Sequence, residues 1–82
     1  MPENPIDRWL DTAVSRLHGP RTRKKVRREL EDHIRDRITL LTTVRGLPED
    51  AATREAVARM GDAEELSEQL ALVRHPIKRL FL

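Results

Sequence analysis

Apolar residues recur at helical spacing along most of the chain, and glycines divide them into four segments. Between Val26 and Val44 an apolar residue falls on the same side of a helix at almost every turn. This spacing of three and four is typical of an amphipathic helix and does not fit a strand, whose side chains alternate between two faces. Cysteine is absent and only Trp9 and Phe81 are aromatic, so the core has to be aliphatic and free of disulfides. The pattern therefore predicts an all-α fold.

The first two helices have clear start and stop signals. The first is predicted from Pro5 to Leu17, with Asn4 as N-cap and proline at the first helical position. The second is predicted from Pro20 or Arg21 to Arg45, with Gly46 as a left-handed C-cap. The second helix should therefore be the longest.

Two shorter helices should complete the fold. The third is predicted over Pro48–Met60 and ends at Gly61. Asp62 then caps a fourth helix that runs to Val73, and Glu65 completes a capping box. We expect one compact bundle of three to four short helices around a longer second helix.

Residues 74–82 form a basic and apolar tail after this bundle, which we place at residues 1–73. The tail residues predicted to contact a partner or a membrane are Ile77, Lys78, Arg79, Leu80, Phe81 and Leu82. Apolar side chains at this density are unfavourable in water unless a surface covers them. The tail is thus interpreted as a juxtamembrane or partner-binding segment.

The charges are unevenly distributed, because the chain is basic up to Arg28 and acidic from Leu47 to Val73. This asymmetry suits docking to a charged partner, or self-complementary packing in a homo-oligomer. The first half of the second helix carries a basic cluster, consisting of Arg21, Arg23, Lys24, Lys25, Arg27 and Arg28. The members of the cluster predicted to contact a partner or a membrane are Arg21, Arg23, Lys24, Lys25 and Arg28.

The basic cluster is compatible with three kinds of partner: an acidic protein surface, anionic lipid head groups or nucleic acid. Nucleic acid is less favoured than the other two. The basic residues should spread around a helix, with Lys24 and Arg28 on one side and Arg23 and Arg27 on another. No aromatic platform for stacking bases accompanies them.

The middle of the second helix raises the possibility of a metal site, because Glu29, His33 and Asp36 lie one turn apart. Their spacing is not that of the H-E-x-x-H zinc motif, and no other helix offers matching ligands. We interpret these charges as a solvated face that includes a Glu31–Arg35 ion pair. His33 is interpreted as a structural residue, with a pH-sensing role as the alternative. No nucleophile–base pair or phosphate loop is present either, so we expect no enzyme activity, catalytic residue, cofactor or metal.

Arg37 lies within the apolar stripe of the second helix. A buried cation needs a partner. One interpretation is that the stem packs and the guanidinium reaches the rim. The other is a salt bridge across the bundle to Glu55 or Glu68.

The segments "ELEDHIRDRI" and "GLPEDAATREAVARMGDAEELSEQL" resemble the HAAS (HTH-associated α-helical signalling) domain, which is closely related to the permease prefix domain. The resemblance extends from Trp9 to Val73. The matching positions are Glu29, Leu30, Asp32, His33, Ile34, Gly46, Leu47, Glu49, Ala52, Ala56, Met60, Gly61, Asp62, Leu66 and Leu70. The chain departs from the family pattern at Ala63, where proline is common, and in the strength of its basic cluster.

The resemblance implies a non-catalytic interaction module in bacterial membrane-linked regulation. Domains of this kind precede transmembrane or permease-like segments, or work with PadR-type transcription regulators. The expected partner is therefore a PadR-type regulator or a membrane permease. The expected location is the cytoplasm, with the inner face of the cell membrane as an alternative.

Overall fold

The computed structural model describes residues 4–72. Within that range the chain folds into four α-helices: α1 (Pro5–Ala13), α2 (Pro20–Thr43), α3 (Glu49–Met60) and α4 (Ala63–Leu72). The predicted all-α class and the longer second helix are confirmed. The predictions for Val73 and for the tail lie outside the described residues.

The first helix begins as predicted but ends earlier. Asn4 Oδ1 accepts a 2.9 Å hydrogen bond from the Ile6 amide, and Pro5 occupies the first turn. The helix ends at Ala13 rather than at Leu17. The hydroxyl and the amide of Ser15 both donate to the Thr12 carbonyl, at 2.7 and 3.2 Å. That carbonyl is the one a further helical turn would use, so a local serine bond replaces the helix.

The second helix ends at Thr43, two residues before the predicted end. Its apolar stripe is confirmed at Leu30, Ile34 and Leu41, which are buried. Val44 was predicted to continue this stripe, and that prediction is wrong, because its side chain is 72% exposed. The chain leaves the helix at this point and turns through Gly46, whose φ is +68°.

The connections around α3 and α4 use the expected residue types. Pro48 is the N-cap of α3, one residue outside the helix rather than its first residue. Gly61 is the C-cap and has a φ of +88°, a conformation that favours glycine. Asp62 caps α4 by accepting a 2.9 Å hydrogen bond from the amide of Glu64, rather than of the predicted Glu65.

The core lies where α1 meets the other helices. α1 packs mainly on α4 and α2, and α2 packs mainly on α3. The buried apolar residues are Ile6, Trp9, Leu10, Ala13, Val14, Leu30, Ile34, Leu41, Ala52, Ala56, Leu66 and Leu70. The alanines of α3 allow close approach of its backbone to α2, so a nearly all-aliphatic core closes around one tryptophan.

Candidate interaction surface

The basic cluster separates into an inner pair and an outer group. Arg23 donates a 2.9 Å hydrogen bond to the carbonyl of Leu17, in the connection before α2. Arg27 is half-buried, and its guanidinium lies 3.4 Å from the Asp7 carboxylate and 3.2 Å from that of Asp11. Both arginines therefore hold α2 against α1 and its following turn.

The outer group forms a continuous basic face. It consists of Arg21, Lys24, Lys25 and Arg28. All four are exposed, and within residues 4–72 none of them forms an ion pair with a carboxylate. At 3.6 residues per turn they fall within an arc of about 100° on the side of α2 opposite its core stripe. The predicted division of the cluster is therefore found: Lys24 and Arg28 lie on one side of α2, which Arg21 and Lys25 share, and Arg23 and Arg27 lie on another.

The surface between these side chains is concave. A shallow depression of about 540 Å³ is lined by Arg21, Lys24, Lys25, Arg27, Arg28 and Glu31. Cations that border a solvent-filled depression keep their hydration and attract anions at longer range. The basic face can therefore orient an acidic surface without distorting the fold.

The last turn of α4 lies at the same end of the bundle as the basic face. Trp9 contacts Gly61, just before α4, and Arg16 contacts Ser67, in the middle of α4. α1 and α4 therefore run in the same direction, toward the connection from which α2 starts. Leu72 ends α4 with its side chain 84% exposed.

The residues that carry the family resemblance divide between core and surface. Trp9, Leu30 and Ile34 are buried, whereas Glu29 and Asp32 are exposed. His33 is half-buried at the stripe edge and has an interaction partner. Gly46, Gly61 and Asp62 form the turns that flank α3. Glu29 and Asp32 are thus available to a partner, while most of the others position the helices.

The predicted ion pairs give a mixed result. Glu31 and Arg35 form the expected pair at 2.9 Å. The predicted bridge from Arg37 to Glu55 or Glu68 is not found in the described part of the chain, where Glu55 instead pairs with Arg59 at 2.9 Å. Arg37 is half-buried, which fits the interpretation that its stem packs while its charge reaches the rim.

A buried polar contact between α4 and the turn that follows α1 was not predicted from the sequence. The Ser67 hydroxyl is fully buried, donates to the Glu64 carbonyl at 2.7 Å and accepts from Arg16 Nε at 3.2 Å. The signal was the position of Ser67, which lies one turn from both Ala63 and Leu70 on the inner side of α4.

Residues 4–72 contain neither a cluster of metal ligands nor a helix that could span a membrane. No group of three or more histidine, aspartate or glutamate side chains in that range is arranged to hold a metal ion. None of the helices described there combines the length and the apolar character needed to cross a membrane.

The fold and its charged surface define the chain as a small helical domain with one basic face. A family model described as HAAS matches residues 8–69, which is most of the chain, and the chain therefore belongs to the HAAS family. HAAS domains are small helical signalling and interaction modules associated with regulators, and HAAS is not a known enzyme family. No curated protein and no solved structure shows significant similarity to the chain.

Proposed function

We propose that this HAAS domain is a non-catalytic module of bacterial membrane-linked regulation that docks a partner protein through its basic face and its C-terminal tail. The expected partner is a PadR-type regulator or a membrane permease with an acidic docking surface. The single observation that carries the proposal is the group of four exposed cations on one side of α2. These cations make no ion pair within residues 4–72, so the fold does not need them.

The difference in contacts between the inner pair and the outer group of the basic cluster supports this role. Arg23 and Arg27 bind groups of the bundle itself. The outer four remain for long-range attraction, which mainly raises the association rate and fixes orientation. A surface of this kind suits a reversible regulatory contact.

The tail would supply the apolar part of the contact. Ile77, Leu80, Phe81 and Leu82 offer aliphatic and aromatic side chains of the kind that anchor interfaces. They follow a helix that ends at the same end of the bundle as the basic face. The cations would thus orient the partner while the tail provides affinity.

Nucleic-acid binding is the second candidate, because four cations on one side of a helix could follow a phosphate backbone. Against it, the only aromatic residue within 4–72 is Trp9, which is buried and cannot stack on a base. An anionic membrane surface remains an alternative for the same basic face together with the tail.

The deciding experiment compares three variants of the full chain. The first lacks residues 77–82, and the second carries Arg21→Gln, Lys25→Gln and Arg28→Gln. The matched control carries Arg8→Gln, Arg45→Gln and Arg54→Gln, which removes three exposed charges from other parts of the surface. Binding is measured on a purified PadR-type regulator, on vesicles containing phosphatidylglycerol and on duplex DNA.

We expect the chain to bind the regulator and not the DNA. Tail deletion should weaken binding, neutralisation of the basic face should slow association, and the control should resemble wild type. If instead the tail-less chain binds duplex DNA tightly at physiological salt, the proposal is wrong. Binding to vesicles alone would assign the basic face to the membrane surface.

A further inference from the structure

α2 carries a second stripe beside its core stripe. This edge stripe consists of Thr22, Val26, Glu29, His33, Arg37, Leu40 and Val44. Its steps of four, three, four, four, three and four residues read the same from either end. At 100° per residue the seven positions fall within an arc of about 80°. Alternating steps of three and four are the spacing by which one helix packs along another.

The edge stripe borders the core but remains open to solvent. Thr22 and Glu29 are exposed, and Leu40 and Val44 are 49% and 72% exposed. Val26, His33 and Arg37 are half-buried, and Val26 packs against the core. Half-buried and exposed positions are interspersed along the stripe, which therefore offers a partly apolar surface along nearly the whole of α2.

The edge stripe is chemically complementary to the edge stripe of a second copy of the chain. This holds when the two α2 helices lie antiparallel and cross the two-fold axis at His33. Val26 then lies opposite Leu40 of the second copy, and Thr22 lies opposite Val44. Glu29 lies opposite Arg37 of the second copy, which pairs an acid with a base. A two-fold axis forms each of these contacts twice.

We propose that the edge stripe is a homodimer interface, in which a second copy of the chain lies antiparallel across α2 on a two-fold axis at His33. The charges select this arrangement, because a parallel pair would place Glu29 against Glu29 and Arg37 against Arg37. The contact would extend about 33 Å, from Thr22 to Val44, at 1.5 Å per residue. So narrow an interface gives a weak dimer that depends on concentration.

This interface does not rest on the proposed docking function. The basic face is centred about 130° around α2 from the edge stripe, by the same helical geometry. A dimer of this kind would leave both basic faces uncovered, since the edge stripe includes none of their four residues. Failure of one proposal therefore leaves the other standing.

Charge exchange between Glu29 and Arg37 tests the interface directly. In Glu29→Arg and in Arg37→Glu, each homodimer would have like charges opposite one another. An equimolar mixture of the two variants, however, restores both acid–base pairs in a heterodimer. Glu29 and Arg37 of one chain cannot form this ion pair with each other, because they are about 12 Å apart along the helix. Recovery in the mixture therefore requires contact between two chains.

Sedimentation equilibrium of the full chain gives the readout, and circular dichroism checks that each variant is folded. We expect wild type to dimerise, each single variant to dimerise at least about tenfold more weakly, and the mixture to recover most of the affinity. Three results would overturn the proposal: a wild-type chain that stays monomeric up to about 1 mM, single variants that dimerise like wild type, or a mixture that associates no better than its components. Because a misfolded variant would not be rescued by mixing, recovery is specific to the interface.

Discussion

The indole Nε1 of Trp9 donates a 2.9 Å hydrogen bond to the carbonyl oxygen of Gly61. Trp9 belongs to α1, and Gly61 separates α3 from α4. The bond joins positions 52 residues apart in the sequence. It therefore fixes the first helix to the turn that sets the direction of the last one.

Replacing this tryptophan should weaken the fold. Trp9→Phe keeps an aromatic ring but removes the donor and leaves the Gly61 carbonyl without it. We expect a loss of about 1–3 kcal/mol in the free energy of unfolding. Urea denaturation followed by circular dichroism measures it, and an unchanged midpoint would show that the hydrogen bond adds no stability.

The ion pairs of Arg27 should contribute modestly and depend on salt. Arg27→Leu removes its contacts with Asp7 and Asp11 and should lower stability by about 0.5–1 kcal/mol at low ionic strength. The difference from wild type should shrink at high salt, because screening weakens the pairs. Arg28→Leu is the matched control, since its exposed guanidinium makes no ion pair within residues 4–72. Equal effects of the two substitutions would contradict the prediction.

The buried hydroxyl of Ser67 should matter more than an exposed one in the same type of bond. Ser67→Ala removes a donor to Glu64 and an acceptor for Arg16, and should cost about 1 kcal/mol. Ser15→Ala is the control, because that hydroxyl also donates to a carbonyl three residues earlier at 2.7 Å but is exposed. Thermal unfolding of both variants should shift only for Ser67→Ala, and a matching shift for Ser15→Ala would count against the role of burial.

His33 is predicted to be structural. His33→Ala should destabilise the domain, by about 1–3 kcal/mol if a hydrogen bond of the half-buried ring is lost. His18→Ala, at an exposed position in the turn before α2, should leave the free energy of unfolding unchanged. If His33→Ala unfolds like wild type but no longer binds a partner, His33 is a contact residue instead.

The domain should fold without metal. Circular dichroism should show a helical spectrum and a single cooperative thermal transition. Addition of a chelator should leave the transition temperature unchanged, because a structural metal would contribute folding free energy. A transition that falls when the chelator is added would reject this prediction and reopen the question of ligands on α2.

The fold was largely predictable because helical periodicity and turn residues agree along the chain. The end of α1 was not, since Val14 and Leu17 continue the apolar pattern into a turn where they remain at least partly buried. The apolar periodicity indicates which side chains are buried and not which backbone hydrogen bonds form. The predicted first helix therefore extended past Ala13, where α1 ends. Val44 shows a different limit, because the apolar pattern continues there although the side chain is 72% exposed.

The interaction surface was predictable in composition but not in geometry. The sequence shows a dense basic cluster, yet it does not show that Arg23 and Arg27 are engaged by Leu17, Asp7 and Asp11. Those contacts depend on how α1 and α2 cross, which is determined by packing among distant residues. Because Arg23 and Arg27 are engaged within the bundle, the cations that remain exposed are the four that share one side of α2.

α1 is the helix through which α4 is attached to the rest of the bundle, since α4 packs mainly on α1. A pull on the chain beyond Leu72 would therefore reach Arg16, at Ser67, before Trp9, at Gly61, and would act on α2 through α1. Release of α4 would break the contacts that hold α1 while leaving the packing of α2 on α3 in place, so the least costly opening of the domain starts at α4. Such an opening would separate the end of α4 from the basic face of α2, because α1 is the helix that packs against both α4 and α2.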